Sequence, residues 1–216
     1  LKKAVVRPHL VPDATFIDPT LTRSVPPAVT AFTGLDALTH SIEAYTNKQA
    51  HPLVDIYALE GIRLCARFLA RTVHDGADAE AREGMSLASL YGGLCLGPVN
   101  TAAVHALAYP LGGEFPIAHD NANALLLPHV LRFNLEAAPR RYAEIAWALG
   151  VAKSGDESRD ALEGVEAVRA LSARCGVQPG MRHYGIPREA IPRMAAAAIT
   201  VTRLLERNLR AVTEAD

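Results

Sequence analysis

TGLDALTHSIEAY, residues 33–45, carries two side-chain stripes at once. Leu35, Leu38, Ile42 and Tyr45 recur at three- and four-residue steps, the spacing of one helix face. Asp36, His40 and Glu43 form a second stripe, rotated from the first by one residue, about 100°. A helix that buries the first stripe brings the second to the border of the core, where polar groups are costly unless satisfied. Asp36 and His40, one turn apart, point to the same side and can converge on a divalent cation. A hydrogen-bonded pair at a helix edge is the plain alternative, and spacing alone does not choose between them.

Working outward, the pattern predicts a helix over 27–46, a second from Pro52 to about Thr72, and a third over 78–96 with Asp78 as N-cap. Gly84, Ala88 and Gly92 in the third suit close helix approach. A short helix is expected from Thr101 to Leu111, stopped by Gly112 and Gly113. Another should start near Asp120, with Pro128 expected to kink or interrupt it. Pro139 to Leu149 and Ser158 to Cys175 read as helices closed by Gly150 and Gly176, the latter burying Leu162, Val165, Val168 and Leu171. The last predicted helix runs from about Arg188 to Asn208. Upstream, Pro8, Pro12, Pro19, Pro26 and Pro27 forbid a long helix, and Ala14 to Ile17 reads as a short strand. The expected class is all-α: a multi-helix bundle over 29–216 preceded by an extended segment over 1–28.

Half of the 216 residues are apolar, enough for a sizeable core, and 22 basic residues nearly cancel 23 acidic ones. That balance gives no electrostatic reason to expect nucleic acid or an anionic membrane as partner. No apolar run approaches the roughly 20 residues that span a bilayer. Cys65, Cys95 and Cys175 are too scattered for a disulfide framework and read as buried free thiols in a reducing, cytoplasmic setting. The chain opens on Leu1 without a signal peptide or a starting Met, as a piece of a longer protein would.

His105 lies among Ala102, Ala103, Val104, Ala106 and Leu107. An imidazole in so apolar a setting needs a partner, either a backbone carbonyl or a metal. His119 precedes a predicted helix, and a helix N-terminus disfavours the protonated ring. Three imidazoles and one carboxylate would make an N3O donor set suited to Fe²⁺, Zn²⁺, Co²⁺ or Ni²⁺ and poorly to Mg²⁺ or Ca²⁺. Glu43, in the stripe of His40, is a candidate partner for a ligand. The other histidines have weaker claims: His51, His74 and His183 fall in predicted loops, His129 in an apolar helix, and His9 in the extended segment.

TGLDALTHSIEAY (33–45) and VHALAYPLGGEFPIAHDNANALLLPHV (104–130) resemble the two signature regions of the iron-containing, group III alcohol dehydrogenases. HLVPDATFIDPTLT (9–22) resembles that family's interdomain segment, and RYAEIAWALG (141–150) also fits. The resemblance is strong to about residue 150 and then thins to general pattern. It implies a helical metal-binding domain of the dehydroquinate synthase-like fold, with Asp36, His40, His105 and His119 as ligands of a divalent metal, Fe²⁺ first and Zn²⁺ second. It further implies an N-terminal NAD(P)-binding domain, absent from this chain, with the active site in the cleft between the two. The implied chemistry is reversible hydride transfer between an alcohol and an aldehyde or ketone, with the 216-residue chain alone inactive or nearly so. This sequence contains neither a GxGxxG nor a P-loop phosphate cradle.

Departures from the family pattern stand out. Many members carry a histidine with a proton-relay role where this chain has Tyr109, which can donate a hydrogen bond or only shape the pocket. The usual Pro-His-Gly reads Ala118-His119-Asp120 here. His119-Asp120 is literally the pair of an HD-type metal-dependent phosphohydrolase, but that site wants a further Asp on a later helix, and Asp156 and Asp160 fall in a polar linker region. A non-catalytic helical docking module, its histidines serving only packing, is the other rival. The substrate, the choice of NAD or NADP and the oligomeric state, including a homo-oligomer, stay open on sequence alone.

Overall fold

The computed structural model describes residues 8–216; the first part of the expected extended segment, residues 1–7, lies outside them. α1 (Pro27–Tyr45) is the hub, because its apolar residues surround most of its circumference: Leu35 and Leu38 are fully buried, as are Ile42 and Ala44. So much burial leaves its hydroxyls no water. Thr39 and Ser41 instead donate to the carbonyls one turn back, at 2.8 and 3.1 Å.

Around α1 pack α2 (Pro52–His74), α3 (Ala79–Leu96) and α5 (His119–Asn134). α4 (Ala103–Glu114) lies against α5, and α6 (Pro139–Ala148) pairs with α7 (Glu157–Arg174). α8 (Ile191–Ile199) and α9 (Thr202–Leu205) close the bundle against α4. Caps follow the expected chemistry: Asp78 accepts from Ala81 N–H, and Asp156 from Ser158 and Arg159 N–H. Gly150 and Gly176 take the left-handed φ values of 95° and 78° that end α6 and α7. Close approach is visible at Gly92, where a Cβ would stand 3.1 Å from the Ala37 carbonyl oxygen and 3.3 Å from the His40 Cβ. Among the described residues the secondary structure is helical throughout, apart from a single isolated bridge between Asn47 and Asn208.

Five sequence expectations need correction. Ala14 to Ile17 is extended but is no strand, since no segment among the described residues pairs with it and Phe16 lies 93% exposed. Gly112 and Gly113 do not stop α4, which continues to Glu114; glycine costs up to about 1 kcal/mol in a last turn without forbidding it, and Arg193 of α8 ties down Glu114, donating from Nε and Nη2 to the one oxygen Oε1. Pro128 does not interrupt α5, whose residues from Asn121 through Pro128 are all buried; tertiary packing there outweighs the ~3 kcal/mol that an interior proline costs. The last predicted helix is broken into a 3-10 turn at Arg188–Ala190, α8 and α9, because the β-branched run Ile199-Thr200-Val201-Thr202 propagates helix poorly and Val201 leaves helical geometry. In α7 the buried stripe is Ala161, Val165, Val168 and Leu171, with Leu162 turned outward at 38% exposure.

No helix among the described residues is long and apolar enough to cross a membrane. The three cysteines are buried and free.

Candidate metal centre

Three helices carry the four predicted ligands: Asp36, His40 and His105 form one compact group, and His119 stands beside it outside that group. α1 presents Asp36 and His40 one turn apart, α4 presents His105 from its first turn, and α5 opens on His119. One oxygen of Asp36 and one nitrogen each of His40 and His105 lie mutually within 4.8 Å, a spacing that a single cation can bridge. Asp36 divides its oxygens: Oδ2 stands 3.6 Å from His40 Nε2 and Oδ1 stands 3.6 Å from His105 Nε2. The rings of His40 and His105 stack with centroids 4.9 Å apart, and His119 meets His105 edge-on at 5.2 Å. Exposure is graded, with the side chain of His105 5% accessible, Asp36 13% and His40 21%. The cluster is therefore sealed on the α4 side and reachable from the His40 side.

Glu43 fixes which nitrogen of His105 faces the cluster. Its Oε2 accepts from His105 Nδ1–H at 2.6 Å, and its Oε1 accepts from the Val104 backbone N–H, also at 2.6 Å. The second bond caps α4, whose N-cap position is held by Ala102 with no side-chain acceptor of its own. With Nδ1 carrying the proton, Nε2 keeps its lone pair, the state a metal requires. Burial, helped by the neighbouring His105, holds His40 below the usual imidazole range against the pull of Asp36 and Glu43. A neutral ring likewise offers a lone pair.

Asn123, one turn after His119, was not among the predicted site residues. Its side-chain Nδ2 lies 2.6 Å from Asp36 Oδ1, 3.1 Å from His105 Nε2 and 3.2 Å from His119 Nε2. An amide NH₂ has two hydrogens and cannot serve three acceptors. Its Oδ1 is buried with no hydrogen-bond partner. Three acceptors converging on one point, with an orphaned polar atom beside it, fit a divalent cation better than they fit the amide. The sequence signal was available in retrospect: a polar residue at i+4 from a ligand histidine shares its helix face.

Tyr109 sits one turn after His105, half-buried, with its ring centroid 6.1 Å from that of His119. Asp120 lies in the first turn of α5. The remaining histidines are elsewhere: His9, His74, His129 and His183 are exposed, and His51 caps α2 by accepting from Leu53 N–H at 3.3 Å. Asp160, a candidate for the phosphohydrolase alternative, is not in a linker but in the first turn of α7, buried and accepting from Trp147 Nε1 and Ser154. A cavity of about 370 Å³ between the extended segment and α1 and α3, bordered by Ile17, Gly34, Arg82 and Met85, contains none of the four predicted ligands.

A family model described as Fe-containing alcohol dehydrogenase family, C-terminal, matches residues 30–216. Long-chain-alcohol dehydrogenase 1 of Geobacillus thermodenitrificans is 41% identical over 216 residues, 100% of this chain and 55% of that protein. 1,3-Propanediol dehydrogenase of Citrobacter freundii is 40% identical over 200 residues, 92% of this chain and 52% of that protein. The crystal structure of a 1,3-propanediol oxidoreductase superposes with a TM-score of 0.89 at 40% identity, covering 92% of this chain and 52% of the other. The chain spans about half the length of the curated relatives it matches.

Proposed function

The chain belongs to the Fe-containing alcohol dehydrogenase family, and from that premise we propose that it is the metal-binding half of an NAD(P)-dependent alcohol dehydrogenase. In this reading Asp36, His40, His105 and His119 hold one divalent cation, iron first and zinc second. Residues 29–216 form the metal-binding domain and residues 1–28 the link to a nucleotide-binding domain. The observation that carries the reading is the convergence of side chains from three helices on the point now touched by the Asn123 amide.

When bound, the cation supplies Lewis acidity at an alcohol or carbonyl oxygen, and NAD(P) carries the hydride. The protein's own part follows from the geometry. Glu43 holds His105 in the tautomer whose Nε2 faces the cluster, burial keeps His40 neutral, and Asp36 contributes the negative charge. The more accessible His40 side is where substrate enters, and Tyr109 shapes the pocket beside His119. The cleft is completed by the nucleotide-binding domain, so the 216-residue chain alone has little or no activity. The substrate is a small alcohol or its carbonyl partner. Relatives at 41% and 40% identity are named for long-chain alcohols and for 1,3-propanediol, so overall identity does not select one. Three buried free thiols suit a cytoplasmic enzyme.

The test is elemental analysis of the full-length enzyme with and without chelator, alongside Asp36→Ala and His105→Ala. One divalent ion per chain is expected, lost in both variants together with NAD(P)-dependent alcohol oxidation. Full activity in a protein that purifies metal-free and ignores chelator would overturn the proposal.

A further inference from the structure

We propose that residues 207–210 form a clasp that sets α1, α4 and α5 against one another, with Arg207 and Asn208 as positioning residues for the cation. The inference rests on the metal-centre reading above and adds to it the part of the chain that holds that centre in register.

Three asparagines from separate parts of the chain are buried: Asn47 just after α1, Asn134 at the end of α5, and Asn208, at 3%, 2% and 1% exposure. Buried amides are costly unless satisfied, and here the bonds that satisfy them run between elements. Asn134 and Asn208 pair reciprocally, each Nδ2 donating to the Oδ1 of the other, at 2.7 and 2.8 Å. Asn208 also bridges to Asn47, and next to it the Lys48 N–H donates to the Arg207 carbonyl at 2.9 Å. Asn47 Nδ2 in turn donates to the Asn100 carbonyl at 3.3 Å. Arg207 Nη1 donates to Gln49 Oε1 at 2.9 Å and to the Val99 carbonyl. Neither acceptor is a carboxylate, so this guanidinium works as a tie to loop and backbone. Arg210 Nη1 adds a bond to the Phe133 carbonyl at 3.1 Å.

Each tie ends on an element that carries a proposed ligand. Asn47 continues α1, which holds Asp36 and His40; Phe133 and Asn134 end α5, which opens on His119. Val99 and Asn100 lie in the loop that enters α4, and His105 stands in the first turn of that helix. Asn100 takes a φ of 74°, a conformation uncommon outside glycine that persists where its surroundings hold it. The peptide groups on both sides of its Cα are gripped, one through Val99 O by Arg207 and the other through Asn100 O by Asn47. Glu43 of α1 then accepts from Val104 N–H. Loop and first turn are thus fixed from two sides, and with them the 3.6 Å approach of His105 Nε2 to Asp36. A satisfied buried polar network of this kind specifies one arrangement, while its net contribution to stability is modest.

The experiment uses the full-length enzyme with Co²⁺ as probe. Affinity and the visible absorption spectrum of the bound ion are measured for wild type, Arg207→Met and Val168→Ala, alongside thermal melts. Val168→Ala is the control for plain destabilisation, a buried change on α7, which carries none of the proposed ligands. Arg207→Met is expected to weaken Co²⁺ binding about tenfold and to alter the spectrum, while Val168→Ala binds within about twofold of wild type with the wild-type spectrum. Arg207→Met with wild-type affinity and spectrum, or a Val168→Ala that loses as much affinity, overturns the clasp and leaves the metal centre standing. Wild type that binds no Co²⁺ overturns both. Should Arg207→Met fail to fold, Asn134→Leu/Asn208→Leu decides, since replacing both partners by apolar side chains of similar shape leaves neither amide unpaired. Affinity reduced severalfold in that double variant supports the clasp, and wild-type affinity refutes it.

Discussion

Glu43→Gln is the sharpest test of how the site is organised. Glu43 is 3% exposed and accepts two bonds of 2.6 Å, from His105 Nδ1–H and from Val104 N–H. Glutamine keeps the shape but offers one acceptor oxygen and one donor NH₂. Whichever way it turns, one of the two N–H groups meets another donor. If the oxygen stays on Val104 to cap α4, the NH₂ faces His105 Nδ1, and the ring relieves the clash by moving its proton to Nε2. Nε2 is the atom that faces Asp36, so the lone pair needed by a cation is lost. Changes of this kind in groups that orient a ligand typically cost ~10–100-fold in metal affinity. Stability should fall less, by about 1–3 kcal/mol, because two neutral hydrogen bonds stand where two charge-assisted ones stood. Glu43→Ala is the control: it leaves two buried N–H groups unsatisfied and should melt lower than Gln, yet it leaves the His105 tautomer free. The prediction is thus a crossing of the two orders, Gln nearer to wild type in stability but no better than Ala in cation affinity. Chelator competition and thermal melts on the full-length enzyme measure both. Glu43→Gln with wild-type affinity, or affinities that simply follow stability, would refute the tautomer argument.

Other perturbations test the scaffold. Gly92→Ala should change the melting temperature little, since the helix gain of up to about 1 kcal/mol offsets crowding, but lower cation affinity severalfold by pushing on the His40 Cβ 3.3 Å away; titration with Co²⁺ checks it. Arg82, 4% exposed, donates to Gly76 O, Thr30 Oγ1 and Val25 O with no carboxylate among these partners, and so pins the start of α1. Arg82→Met should cost about 2–4 kcal/mol in urea unfolding through orphaned acceptors. Burial pushes Cys65 up to about 12 and Cys95 and Cys175 up to about 11, so all three should resist a thiol reagent at pH 8 until the protein is denatured. The sign for stability follows: unfolded thiols ionise from about pH 8.5 while the folded ones stay protonated, so stability falls as pH rises from there toward 11.

Legibility in the sequence tracked how local the cause was. α1, α2, α3 and α6 were readable because their apolar periodicity, prolines at the first turn and capping aspartate act within a few residues. That Asp36 and His40 share one side of α1 followed from helix geometry, though spacing alone did not make them a metal site. That His105 groups with them, and that His119 stands beside it, depends on how α4 and α5 pack on α1, which no local spacing encodes; only the resemblance to a known family pointed there. The misread elements are those where tertiary packing overrides propensity: Pro128 and Gly112-Gly113 sit inside helices held by their neighbours. Asn123 was passed over because an asparagine in an apolar helix has no intrinsic metal signature, and its place beside Asp36, His105 and His119 appears only in the folded chain.

The site's rigidity is inherited from the core through α1. Asp36 and His40 flank residues that are fully buried, Leu35 and Leu38, so neither proposed ligand can shift without disturbing packing against α2 and α3. Leu38→Ala would be expected to cost ~2–5 kcal/mol through the cavity it leaves, and that cavity opens beside the ligand stripe, not in a remote part of the molecule. Loss of cation affinity should therefore accompany loss of stability for core changes in α1, while comparable cavities at Val168 or Leu171 of α7, on a helix that carries none of the proposed ligands, should destabilise without touching affinity. A Val168→Ala variant whose cation affinity falls as far as that of Leu38→Ala would show that the ligand set depends on the whole bundle and not on α1 and its neighbours.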